Sequence, residues 1–166
     1  MKQEKLVRLL FELIKNSKRS DRDLGKTLNM SQPTVTRLRK VLEKEAMSQY
    51  TIIPNLSYLD FDILAFTFAR TKELVQPLWD EGKKWAEKQP CVLFVTTGQG
   101  VDSDVLMVSL HKDYASFAKF HHVFRNDWSK YLHDFRIFLT SLKGSITLKP
   151  FSFNYLADAY QEELGE

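Results

Sequence analysis

From Leu6 to Ile14 the apolar residues Leu6, Leu9, Leu10, Leu13 and Ile14 recur three and four positions apart, with Lys and Glu between them ("QEKLVRLLFELIKNS"). That spacing predicts an amphipathic helix ending near Asn16. Ser20 opens "SDRD", a Ser-x-x-Asp start signal with acids in the first turn. A short second helix follows, with Leu24 and Leu28 inward. It stops at Asn29, a residue that tolerates the left-handed conformation of a tight turn. Ser31 is a plausible N-cap for a third helix, and Pro33 sits in its first turn, where a missing N–H does little harm. Projected at helical pitch, Val35, Leu38 and Leu42 form one narrow buried stripe. Pro33, Thr36, Arg37, Lys40 and Lys44 lie opposite, with Thr34 and Arg39 on the flanks.

The pattern then changes period. "FDILAFTFART", Phe61 to Thr71, alternates as a strand, with Leu64, Phe66 and Phe68 on one side and Ile63, Ala65, Thr67 and Ala69 on the other. "ELVQPLWDEGKKWAEKQ" predicts a helix with Leu74, Val75, Leu78, Trp79, Trp85 and Ala86 inward, ended by Pro90. "CVLFVTT" and "DVLMVSL" are strands apolar on both faces. A second long helix aligns Tyr114, Phe117, His121, Phe124, Trp128 and Tyr131. "FRIFLTSLKGSITLKPF" predicts a strand, a Lys143-Gly144 turn and another strand. "NYLADAYQEELGE" is compatible with a short final helix. Strand-helix-strand-strand-helix-strand is the ferredoxin-like (βαββαβ) arrangement. Its helices cover one sheet face, yet several of these strands are apolar on both. The uncovered face therefore calls for a partner, and a second copy of the chain meets that need most simply. A monomer whose tail covers the face is the competing arrangement.

Composition narrows the class. With 43% hydrophobic residues and twelve Phe in 166 residues, the chain has ample material for a packed core. No apolar run reaches the length of a membrane span, and "MKQEKLVRLL" lacks a signal peptide's apolar block. The single cysteine, Cys91, rules out an intramolecular disulfide framework. A cytoplasmic location is expected. Charge is uneven: residues 1–48 hold 12 of the 24 basic side chains and 6 of the 21 acidic ones, and no acid occurs from Leu24 through Leu42. A basic first third on a mildly acidic remainder suggests a polyanion-binding module attached to something with another task.

Two helices joined by a tight turn, the second basic on its outer face, form a helix-turn-helix suited to the DNA major groove. Arg37 and Arg39 can donate to guanine, the methyl groups of Thr34 and Thr36 can touch thymine, and Gln32 can read adenine, with Pro33, Lys40 and Lys44 on the same surface. Lys18, Arg19, Arg22 and Lys26 would serve phosphates at the groove edges. The other reading is a structural or protein-docking three-helix unit.

The stretch "LGKTLNMSQPTVTRLRKVLEKEAMSQYTIIPNLSYLDFDI" resembles the Lrp/AsnC (leucine-responsive/asparagine-responsive) transcription regulator family. Leu24, Leu28, Met30, Ser31, Thr34, Val35, Arg37, Leu38, Leu42 and Glu43 fit the pattern of that family's helix-turn-helix. Tyr50, Ile52, Ile53, Pro54 and Leu59 fit the stretch that leads into its second domain. Asn29 stands where many relatives have Gly, and "YLDFD" where Leu-Gly is frequent. The resemblance implies a wing hairpin after the third helix. It also implies a small effector, often an amino acid, near the loop between the second and third strands. In "TTGQGVDSDVLMV", Thr97, Gly98, Leu106 and Val108 match with extra residues between. Gly98 and Gly100 would admit a carboxylate to backbone N–H groups, and Asp102 or Asp104 would receive an amine. A hairpin rich in Gly and Asp for turn reasons alone is the alternative.

The expectation is an α+β chain. A winged helix-turn-helix DNA-binding domain covers 1–55, a ferredoxin-like dimerisation and candidate effector domain covers 56–154, and a tail covers 155–166. The implied function is a DNA-binding transcription regulator that acts as a homodimer or higher even oligomer, with double-stranded DNA and an amino acid as partners. A DNA binder that senses nothing is one alternative. The other is an enzyme on the same two-part fold, of the tetrapyrrole decarboxylase kind. His111, His121, His122 and His133 have no metal-site spacing, and no phosphate loop or nucleophile elbow is present, so no metal, cofactor or catalytic residue is expected.

Overall fold

The computed structural model describes residues 2–73 and 75–164. The chain forms two compact units, one from residues 1–54 with 149–166, the other from 55–148. Leu74, expected on an inward helix face, lies outside the described residues.

The first unit contains α1 (Lys2–Lys15), α2 (Asp21–Leu28), α3 (Gln32–Glu45) and α6 (Asn154–Leu164). Leu9, Leu13, Leu24, Leu28, Val35, Leu38 and Leu42 form its core, with Leu6, Leu10, Met30 and Met47 around them. The expected apolar stripes are thus the surfaces that pack. Ser20 caps α2 through its Oγ, which accepts the Asp23 N–H at 3.1 Å. Asn29 ends the helix in the left-handed region (φ 52°, ψ 49°), and Met30 N–H donates to the Gly25 carbonyl at 2.8 Å. Gly25 is what makes this turn possible: a Cβ there would lie 2.6 Å from the Met30 carbonyl oxygen. Ser31 has the extended backbone of an N-cap, but its hydroxyl pairs with that of Thr34 at 2.8 Å instead of capping. α6 packs against α1, with Ala157 fully buried.

No strand occurs in residues 46–62. The wing hairpin expected there is replaced by irregular chain and a 3-10 turn at Ser57–Leu59. In this segment Tyr50 turns its hydroxyl back onto Glu43 at 2.8 Å.

The second unit runs β1 (Ile63–Thr71), α4 (Gln76–Glu87), β2 (Val92–Gly100), β3 (Ser103–His111), α5 (Tyr114–Trp128) and β4 (Leu132–Ser141). The four strands form one antiparallel sheet in the order β2-β3-β1-β4. Pairing of Ala65 with Ser109 and Thr67 with Met107 fixes one face, on which Ala65, Thr67, Ala69, Met107, Ser109 and His111 are all buried. α4 contacts β2 and α5 contacts β3 on that side. Leu78, Phe124, Trp128 and Leu132 complete the core with Trp85 and Phe135. Asp113 and Ser116 start α5 with a reciprocal capping box. α4 begins at Gln76 with Pro77 in its first turn, so Val75, expected inward, is the exposed residue before the helix.

The strand expected after the Lys143-Gly144 turn does not form. Asp62 accepts the Ser141 hydroxyl at 2.6 Å and the Lys143 N–H at 3.1 Å, and Ser141 Oγ accepts the Gly144 N–H at 2.7 Å. These bonds fold the chain over the end of β4 and use the backbone donors that a hairpin ladder would need. Ile146 and Leu148 are left 87% and 95% exposed. The second unit accordingly ends at 148 and not 154, and the residues from 149 onward group with the first unit.

Candidate nucleic-acid interface

α3 presents Gln32, Pro33, Arg37, Lys40 and Lys44 to solvent, and Gln32, Pro33, Thr36, Arg37 and Lys40 line a shallow concavity. The surface exists because Val35, Leu38 and Leu42 anchor the opposite side of the helix in the core. Lys18, Arg22 and Lys26, before and along α2, are exposed as well. Six cations of the expected set are therefore solvent-facing: Lys18, Arg22, Lys26, Arg37, Lys40 and Lys44.

The remaining expected contacts are used internally, wholly or in part. Arg39 Nε lies 2.7 Å from Asp21 Oδ1, an ionic contact and not an aligned hydrogen bond, and both side chains are about four-fifths covered. Its Nη2 donates to the Arg19 carbonyl at 3.1 Å. The Arg19 guanidinium in turn ties Glu12 of α1 to Thr27 of α2. Thr36 donates to Asp21 Oδ2 at 2.7 Å and lies 3.1 Å from the Gln32 carbonyl. Arg19 and Arg39 thus join helices, and Thr36 offers outward at most its methyl group. An acid-free stretch in sequence does not mean an acid-free neighbourhood in space: α2 brings Asp21 to the flank of α3, where Arg39 offsets its charge. The sequence signal for this pairing was the Asp21 carboxylate, read there only as a helix-dipole complement.

The expected effector loop is a two-residue hairpin turn. Val101 and Asp102 have φ values of 54° and 52°, and Gly100 pairs with Ser103 across it. Gly98 lies within β2, and neither Gly98 nor Gly100 has a neighbouring group within 4 Å of a would-be Cβ, so the space beside both is open. Asp104 is a structural residue: it accepts the Thr71 N–H at 3.0 Å and the Thr71 hydroxyl at 2.7 Å. Asp102 is exposed and faces Arg136 at 3.4 Å. No group of three or more His, Cys, Asp and Glu side chains that could hold a metal gathers among the described residues. No helix among them is long and apolar enough to cross a membrane.

No family model and no curated protein sequence matches the chain. Solved structures do. A transcriptional regulator from Neisseria meningitidis, determined as a complex with L-Met, superposes with a TM-score of 0.73 at 17% identity, covering 92% of this chain and 97% of that one. An AsnC family transcriptional regulator from Agrobacterium tumefaciens gives 0.72 at 17% identity, covering 91% and 97%. AsnC of E. coli gives 0.69 at 12% identity, covering 89% and 96%. Over nearly its whole length, this chain has the fold of the Lrp/AsnC transcriptional regulators.

Proposed function

We propose that the protein is a DNA-binding transcription regulator that uses α2 and α3 as a helix-turn-helix and dimerises through the open face of its sheet. The observation that carries this reading is the solvent-facing cationic surface of α3, held outward by an aliphatic stripe in the core. The fold shared with Lrp/AsnC regulators supports it. Arg37 and Gln32 are the base-reading candidates, because both are exposed at the start or middle of the helix that would enter the groove. Lys18, Arg22, Lys26, Lys40 and Lys44 are the phosphate-contact candidates.

Selection of bound duplexes from a random pool tests this directly, with a two-fold symmetric motif as the expected result. Within that motif, Arg37→Ala should weaken binding by about 1–3 kcal/mol and relax the preference at one base position. Lys40→Ala should weaken all sequences alike and flatten the salt dependence by about 0.9 in log K per log salt. Salt-independent binding, or none, would remove the reading.

A second element is an amino acid effector at the β2–β3 hairpin. The favouring observation is that Asp102 and Arg136 form an exposed acid–base pair there, complementary to the two charges of an amino acid, and one regulator of the same fold was solved with L-Met. A thermal-shift screen against the amino acids tests it, since a ligand selective for the folded state raises Tm.

A further inference from the structure

Under α4 the two layers of the second unit do not close. By register, Val95 and Thr97 of β2 lie on the sheet face of Met107 and Val105, the face that the helices cover. Met107 is 3% exposed, yet Val95 is 42% exposed. The space over β2 is a cavity of about 670 Å³, well inside the size range of small-molecule sites. Val95, Val105 and Met107 line it from the sheet, and Leu78 lines it from α4. All three tryptophans of the chain, Trp79, Trp85 and Trp128, line it too. Gly82 leaves room on the helix: a Cβ there would meet only Trp128 Cη2, at 3.5 Å.

The charge around this aromatic cavity has a sign. Asp80, Lys83 and Glu87 line it from α4 at spacings of three and four, which places them on one stripe. Lys83 has a carboxylate on either side along that stripe, leaving one net negative charge. Glu87 also lies in the last turn of α4, at the negative end of the helix dipole. Behind the wall, Trp85 Nε1 donates to Asp127 Oδ2 at 2.8 Å, which sets a third carboxylate against that indole. Aromatic faces and a net acidic lining both attract positive charge and repel negative charge.

We propose that the cavity beneath α4 binds a lipophilic organic cation, with its aryl body among Trp79, Trp85 and Trp128 and its charge toward Asp80 and Glu87. This site is independent of α3, and its test uses no DNA.

Tetraphenylphosphonium and tetraphenylborate have the same shape and opposite charge. Each is titrated into the full chain while tryptophan emission and thermal melting are followed. Because every tryptophan lines the cavity, emission reports on this site. The phosphonium should change the emission saturably, raise Tm, and bind on the order of tenfold more tightly than the borate. Gly82→Leu, which projects a side chain into the space, should abolish the saturable change. The double variant Asp80→Asn/Glu87→Gln, at two exposed positions, should weaken phosphonium binding by a similar order of tenfold while leaving the melting of the free protein unchanged. Absence of saturable binding overturns the proposal, as do equal affinities for the two ions. Phosphonium binding that survives both sets of substitutions overturns it too.

Discussion

Gly25 and Gly82 are both helix-interior glycines, and the structure gives their replacement opposite signs. Alanine is intrinsically favoured over glycine in a helix by about 1 kcal/mol. At Gly82 nothing opposes that gain, since the new methyl makes an ordinary contact with Trp128. Gly82→Ala should therefore raise stability by up to about 1 kcal/mol in urea unfolding. At Gly25 the methyl would meet the Met30 carbonyl oxygen at 2.6 Å. That atom is backbone in the turn between α2 and α3 and cannot swing away. Overpacking of this kind costs about 1–3 kcal/mol, so Gly25→Ala should lower stability despite the helix preference. The arginines of α3 divide in the same way. Arg39 is held by Asp21 and the Arg19 carbonyl, whereas Arg37 is exposed. Arg39→Ala should lower the stability of the first unit by about 1 kcal/mol. Arg37→Ala should leave the melting curve in place and reduce only DNA affinity. If Arg39→Ala leaves stability intact, its ionic contacts do not hold the helices together.

At the scale of elements, α5 brings two histidines into apolar surroundings. His111 is 3% exposed, accepts or donates one bond with Ser109 Oγ at 2.9 Å, and packs on the rings of Phe117 and Phe120. His121 stacks on Phe117 and meets Phe135 edge-on, and its Nε2 is buried with no partner. Burial lowers both pKa values from the usual histidine range, and Arg125 and His122 lower that of His121 further. The folded state thus resists protonation where the unfolded chain accepts it. Stability is complete above about pH 6.5, the unfolded-chain value, and falls as the pH drops below it, because the unfolded state then binds more protons. The carboxylates of Asp62 and Asp113 are held below the ordinary carboxylate range, chiefly by hydrogen bonds from Ser141 and from the Ser116 backbone respectively. Their contribution persists until the pH approaches about 4, the unfolded carboxylate range. The histidines therefore govern the mildly acidic window. The urea midpoint should be lower at pH 5.5 than at pH 7.5, and the difference should shrink in His121→Phe. A midpoint that does not move over that interval would mean both rings charge freely in the folded protein. β1, the long helices and the stripe on α3 are legible in the sequence from apolar periodicity, which packing obeys, and β2 and β3 from short runs that are apolar on both faces. The strand expected after Lys143 rests on the same signal: Ile146 and Leu148 alternate like a strand, but Asp62, distant in sequence, captures the turn in place of a ladder. The Asp21–Arg39 contact and the Asp104–Thr71 bonds were equally hidden, because no local spacing encodes a partner on another element.

At the scale of the whole molecule, the question is what covers the sheet face opposite the helices. By register Phe94 of β2 and Phe138 of β4 lie there with Phe66, Phe68, Leu106 and Val108. Phe94 is 54% exposed and Phe138 61% exposed, and Phe138 packs on Phe66 with ring centroids 6.1 Å apart. In a two-fold pairing through this face each copy contributes both exposed rings. Full burial of a Phe contributes roughly 1.5–3 kcal/mol, so four rings supply roughly 6–12 kcal/mol at most. Association itself costs on the order of 4–15 kcal/mol. The rings are thus of the same size as the whole cost, and the pairing should not survive their loss. The unaltered chain should sediment as a dimer, and Phe94→Glu/Phe138→Glu as a monomer. Its circular dichroism should be unchanged, because neither ring belongs to the core beneath the helices. DNA affinity should fall with it: two linked recognition helices bind a two-fold site about 10²–10⁴ times more tightly than one, so a folded monomer retains only the single-site term. A double variant that stays dimeric with its fold intact would place the interface elsewhere. One that becomes monomeric yet binds the same duplex with unchanged affinity would show that the two recognition helices do not act together.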